Sequence, residues 1–230
     1  RCTVVTGVQT CALPIFGMIA NLGGWGVMVR AAVVLAAVAG IALSDHLADA
    51  VGGVTDAAVG ARHTDLFVSG GLTHRAGREI VAFIEAHRGE PVRLVLDSPG
   101  GYAGAADRVR EAVREHGAVG TVVAGYTQCA SACTAIFAAG RSRAAGENAR
   151  FVFHAPRLAI GPVSMPDPFG GDPARYAVPE DPGGRIGAAL QAFLERGDAM
   201  DDGEAGASAL DLARIVPGWI TELLPSDAAI

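Results

Sequence analysis

Between Asp65 and Pro156, short apolar runs alternate with longer amphipathic stretches, and this constrains the fold more than any other feature of the chain. "DLFVSGGL" (Asp65–Leu72) reads as a strand closing in a glycine turn. "HRAGREIVAFIEAHRG" (His74–Gly89) carries Ile80, Val81, Phe83 and Ile84 near helical spacing, with Gly89 at the expected stop. "VRLVLDSPGG" (Val92–Gly101) is a buried strand running into a Ser-Pro-Gly-Gly turn. An amphipathic helix over Ala105–Gly117, a strand over Val119–Gly125, a helix in "SACTAIFAAG" (Ser131–Gly140) and a strand over Ala149–Pro156 complete the series. Parallel neighbours need a crossover connection, so strands that alternate with helices predict an α/β fold with a largely parallel sheet.

The flanking segments carry different signals. "VTGVQTCALPI" (Val5–Ile15) reads as the translation of a sequencing-library adapter, so residues 1–16 are set aside as a cloning scar, and Cys2 and Cys11 with them. Arg30 precedes an unbroken apolar run, Ala31–Leu43, within residues 17–50. A short positive region before an apolar core of about 7–15 residues is the layout of a signal peptide. A membrane anchor is the other reading, since the stretch back to Gly17 is broken only by Arg30. Either one predicts an exported protein, periplasmic or held at the inner membrane. Residues 51–63 read as a linker and 64–156 as the ordered core. The Pro- and Gly-rich residues 157–184 read as a long loop, and 185–230 as a helical segment that stops inside a helix and is expected to be truncated.

Composition removes several functions. The net charge of −6 with no dense basic run speaks against nucleic-acid binding. Every cationic side chain is arginine. Without lysine there is no Schiff-base chemistry, no Walker-type phosphate loop and no Ser–Lys dyad. No pair of histidines has metal-ligand spacing on a strand, so no metal is expected.

What remains fits acyl transfer, which needs a nucleophile, a base and donors aimed at the developing oxyanion. Ser131 lies at a predicted helix N-terminus, where backbone N–H groups favour negative charge, and Ala130 and Ala132 leave room beside it. It reads as a nucleophile or as an ordinary helix cap. His154 ends the strand "FVFH" before Pro156, and reads as a general base or as a structural histidine. The paired glycines of "DSPGG" (Asp97–Gly101) can turn an amide toward a ligand with no side chain in the way, or simply make a tight turn.

The order "DSPGG", "CASAC", "FHAP" resembles the Clp protease proteolytic subunit and the wider Clp/crotonase superfamily, most closely its exported bacterial branch. The resemblance covers about Asp65–Pro156. It implies a spiral of β-β-α units assembled as a homo-oligomer, a peptide or protein substrate, and no cofactor. It makes Ser131 the nucleophile and His154 the general base. The Gly100 and Ala132 amides become the oxyanion hole, and Gly101 holds the peptide as an added strand. A catalytically silent binding or assembly module on the same scaffold is the alternative. A crotonase-type acyl-coenzyme A enzyme is a more distant one.

Two matters stay open at this level. The family's aspartate has no clear counterpart: Asp198, Asp201 and Asp202 lie in unlike surroundings, and another register puts Ile220 or Thr221 at its place. Cys129 and Cys133 are four residues apart and, if both lay on one helix, would fall within disulfide range, or else they are two small buried thiols packed on the sheet.

Overall fold

The computed structural model describes residues 55–160, 163–166, 177–197, 199 and 203–225, all in the compact unit Asp45–Ile230. The adapter-like segment, the apolar segment 17–50, the residues 167–176 and the acids Asp198, Asp201 and Asp202 lie outside the described residues. Among the described residues, no helix is long and apolar enough to cross a membrane.

The chain opens with β1 (Ala58–Arg62), antiparallel to β2 (Asp65–Ser69). Helix α1 (His74–Ala86) follows, then β3 (Val92–Asp97), α2 (Ala103–His116) and β4 (Val119–Val123). Next come β5 (Gln128–Ala130), α3 (Ala132–Ala139), β6 (Ser142–Gly146) and β7 (Arg150–Phe153). The chain continues through β8 (Arg157–Ile160), β9 (Val163–Pro166), α4 (Arg185–Arg196), β10 (Ala205–Ser208), α5 (Ala209–Ile215) and β11 (Glu222–Leu224). The main sheet has six strands in the order β1-β2-β3-β4-β6-β11, all parallel apart from the β1–β2 pair. A three-stranded sheet, β10-β7-β5, stands beside it, with β5 parallel and β10 antiparallel to β7. This is the mixed α/β architecture with a mostly parallel central sheet that the alternation predicts.

Three expectations are corrected. The linker over 51–63 contains β1, whose residues pair from Ala58 opposite Ser69 to Arg62 opposite Asp65. An exposed edge strand needs backbone pairing but little apolar patterning, so "AVGAR" hides it. The loop over 157–184 begins with the β8–β9 hairpin, masked in sequence by the Pro and Gly around it. The 185–230 segment is not all helix: β10 and β11 lie in it, and the chain leaves α5 before Pro217, which cannot continue a helix.

Helix packing follows from the sequence. Thr73 caps α1 by accepting the Ala76 amide, and Ala76, Gly77, Ile80 and Ile84 face inward. Gly77 lets α2 approach: a methyl there would sit 3.1 Å from the Ala105 side chain. Farther along, Phe137, Phe151 and Phe153 gather around Trp219, all within 1 % of full burial. Leu190, Phe193 and Leu194 of α4 join that core.

Arg143 of β6 locks the C-terminal turn onto this core. It is 8 % exposed, and its guanidinium donates to the carbonyls of Trp219 (2.7 Å), Gly140 (2.9 Å) and Gly218 (2.9 Å). Burial pushes its pKa below the ordinary arginine value. Replacing Arg143 with methionine fills the volume but leaves these carbonyls unpaired. With a buried orphan acceptor costing about 1–3 kcal/mol, urea denaturation is expected to show a loss of about 3 kcal/mol.

Candidate active site

The site forms where the two sheets meet. Ser98 and Cys129 make a parallel bridge between the end of β3 and β5. In turn β5 is paired with β7, placing Ala130 opposite Val152. The Ser131 amide continues that ladder, donating to the Val152 carbonyl at 2.8 Å. His154 follows the last residue of β7, so the register carries serine and histidine to the same end of the small sheet.

Ser131 is the junction between β5 and α3, with φ 53° and ψ −124°. A non-glycine residue there is strained by about 1–3 kcal/mol and persists only where its surroundings over-determine it. A sharp strand-to-helix turn of this kind lifts a nucleophilic hydroxyl clear of the backbone. The helix-cap reading does not hold, because the Ser131 side chain makes no capping hydrogen bond. Instead Thr134 secures the turn from behind, its amide (3.0 Å) and hydroxyl (2.7 Å) both donating to the Ser131 carbonyl.

Gly100 is pressed against this turn. A methyl at Gly100 would lie 2.6 Å from Ser131 Cβ, 2.7 Å from the Ala130 carbonyl oxygen and 3.0 Å from the Ala132 nitrogen. The two expected oxyanion donors, Gly100 and Ala132, thus flank the serine. Ala132 is the first residue of α3, where an amide has no partner within the helix. The Gly100 amide is engaged, donating to Ser98 Oγ at 3.1 Å. Ser98 is fully buried, and its hydroxyl donates on to the Gly70 carbonyl at 2.6 Å.

Gly101, at φ 156°, sits against Leu72, where a side chain would come within 2.4 Å of the carbonyl oxygen. The Leu72 amide donates to Gly100 O (2.8 Å), and the Tyr102 amide donates to Leu72 O (2.9 Å). Alternate residues of an extended strand point their polar groups to opposite sides. The Gly101 amide and carbonyl therefore face away from Leu72.

His154 is half-buried, and its Nδ1 lies 2.7 Å from the Ala155 carbonyl oxygen. A carbonyl only accepts, so Nδ1 carries the proton, and in the neutral ring the lone pair is on Nε2. That tautomer suits a general base. No hydrogen bond joins His154 to Ser131, and among the described residues no carboxylate is bonded to the imidazole. Of the positions considered for the acid, Asp198, Asp201 and Asp202 lie outside the described residues, and Ile220 and Thr221 do not supply one. Ile220 is buried in the core, and Thr221 donates its hydroxyl to Arg143 O (3.1 Å) while accepting the Arg143 amide (2.7 Å).

Cys129 and Cys133 are joined in a disulfide, with Cα atoms 5.2 Å apart and both residues fully buried. The reading as two packed free thiols is corrected. Closing so short a loop limits the unfolded chain by about 2 kcal/mol in the chain-entropy picture. That is similar to the strain held at Ser131. Among the described residues, no group of three or more His, Cys, Asp or Glu is placed to hold a metal ion.

Comparison with known families fits this geometry. Residues 61–164 match the family model described as Clp protease. Over that span, just under half of the chain, the protein is similar to Clp proteases. No curated protein matches it. The matched span runs from the end of β1 into β9 and takes in Gly100, Gly101, Ser131, Ala132 and His154. That similarity supports a protease, and hence a hydrolase.

Sequence reasoning missed Ser98 and Thr134. Ser98 was visible as a hydroxyl residue inside a motif, but its bond to Gly70 joins segments far apart in the chain, whereas Thr134 bonds the carbonyl three residues back, a contact that only the turn at Ser131 makes meaningful.

Proposed function

We propose that the protein is an exported serine peptidase that cleaves peptide bonds through Ser131 and His154. The observation carrying this reading is Ser131 itself: a strained, non-capping serine at a strand-to-helix turn, with Gly100 against its Cβ. In this scheme the Ser131 hydroxyl attacks the scissile carbonyl and its proton passes to His154 Nε2. The oxyanion is received by the Ala132 amide and by the Gly100 amide, once that amide leaves Ser98 Oγ. The protonated imidazole then releases the amine, and water repeats the sequence on the acyl-enzyme. The peptide lies as an added strand on Gly101. No cofactor takes part.

Export rests on the Arg30-to-Leu43 pattern, and the Cys129–Cys133 disulfide supports it, because such bonds persist in oxidising compartments. Attachment to a membrane through the apolar segment 17–50 belongs to the same proposal. Clp proteases typically act as oligomers, and assembly from like copies is proposed here too.

The second reading, a catalytically silent scaffold, is favoured by the missing Ser131–His154 hydrogen bond and the occupied Gly100 amide. A fluorophosphonate probe separates the two. For the peptidase, the intact folded chain takes up one probe, peptide mapping finds it on Ser131, and Ser131→Ala takes up none. Absence of label on folded protein with its disulfide intact selects the silent scaffold.

A further inference from the structure

We infer that the Cys129–Cys133 disulfide is a positioning device for Ser131, holding the serine in the backbone conformation in which it reacts. This rests on the peptidase reading and goes beyond it. The two cysteines lie two residues before and two after Ser131, one in β5 and one in α3. The bond therefore closes over Ala130, Ser131 and Ala132, with the strained serine at the centre.

The other restraints on that turn are hydrogen bonds. Ser131 N–H donates to Val152 O, Ala130 N–H donates to Ser98 O, and Thr134 donates to Ser131 O. Ser131 has φ 53° without being glycine, and a peptide bond on either side can relax toward ordinary β or α values if the ends separate. To these the disulfide adds a covalent bridge, which fixes the distance between the strand end and the first helical turn. Both sulfur-bearing residues are fully buried, which places the bond inside the packing and away from exposed thiol–disulfide exchange. Its role is thus tied to the turn it spans.

The chemistry balances simply. Forming the bond joins two sulfurs and passes two electrons and two protons to a disulfide oxidant. Opening it returns two electrons and two protons from a dithiol or a phosphine. The opened chain keeps the same side chains in the core but frees the turn, so the proposed peptidase reacts fully only where disulfides form.

The test compares three forms of the full chain: oxidised, reduced with tris(carboxyethyl)phosphine, and Cys129→Ala/Cys133→Ala. Mass measurement without reductant first establishes the loss of two hydrogens; an oxidised preparation with free thiols overturns the proposal. Fluorophosphonate labelling is followed as a function of probe concentration, beside hydrogen exchange of peptides covering residues 129–134. The expected result is a fall of tenfold or more in the maximal labelling rate on opening, with the half-saturating probe concentration unchanged. Exchange at Ser131 and Thr134 is expected to quicken, and reoxidation of the wild type to restore both. Equal labelling and equal exchange in open and closed forms overturn the proposal. If no form labels, the peptidase reading falls and exchange alone decides: faster exchange in the open forms upholds the positioning role, and unchanged exchange removes it. If the double variant does not fold, the reduced wild type supplies the same comparison.

Discussion

Alanine at position 154 lowers peptide hydrolysis by about 10⁴- to 10⁶-fold, and alanine at both 131 and 154 lowers it no further than either change alone. The non-additivity is the informative part. A serine hydroxyl is a weak nucleophile until a base takes its proton, so removing either member of the pair removes the same step. The residual rate comes from the amides and from substrate binding, which both variants retain. His154 is already in the tautomer this requires, with Nδ1–H on the Ala155 carbonyl and the Nε2 lone pair available. Among the described residues it is this carbonyl that orients the ring, and it brings no negative charge to steady the imidazolium. The pair is therefore expected to be slower than one backed by a carboxylate. Steady-state hydrolysis of a quenched fluorescent peptide mixture, read on the two single variants and the double variant, makes the comparison. A His154→Ala protein working within tenfold of wild type would remove the histidine from the mechanism.

Much of the fold could be read from the chain because its strongest signals are local. β2, α1, β3, α2, β4, α3 and β7 each carry their own period, and each ends in a turn residue or cap that does not depend on the rest of the molecule. β5 could not be read in this way. It is three residues long, and it exists because Ser98 and Arg150–Val152 supply partners on both sides. β1 and β11 are edge strands whose pairing is made by the backbone, so their side chains barely report it. The same division holds at the site. Ser131, Gly100 and Gly101 were visible because their residue types are unusual where they stand. The hold on His154 was not, because its acceptor is the carbonyl of Ala155, and every residue has a carbonyl. Ser98 was hidden for a related reason: its hydroxyl bridges Gly70 and Gly100, two turns from different strands. The cysteine pair fell between these cases, since spacing allowed a disulfide and packed thiols equally until the turn at Ser131 brought the two ends together.

Alanine at position 100 is expected to reduce labelling of Ser131 by about 10³-fold or more while the main sheet stays folded. Two costs combine. Gly100 has φ +95°, a region that an L side chain rarely enters, so alanine there is strained before any contact is counted. The added methyl would then lie 2.6 Å from Ser131 Cβ and 2.7 Å from the Ala130 carbonyl oxygen, distances that atoms in folded proteins do not keep. The neighbouring backbone has little freedom to yield, because Ala130 is bonded to Ser98 and Ser131 to Val152. The Gly100 peptide must therefore turn, and its amide can no longer pass from Ser98 Oγ to the oxyanion; losing one such donor costs about 10²- to 10³-fold by itself. Displacement of Ser131 adds to that. Gly117 supplies the control. It ends α2 at φ +72°, and a methyl added there would meet nothing within 4 Å, so Gly117→Ala carries the backbone strain without the collision. It is expected to lose about 1 kcal/mol of stability and to label like the wild type. Second-order labelling rates for the two variants, with folding checked by circular dichroism, separate strain from position. Wild-type labelling by Gly100→Ala would mean that the serine at 131 does not depend on the glycine turn, and the convergence of nucleophile and oxyanion donors on one point would be lost with it.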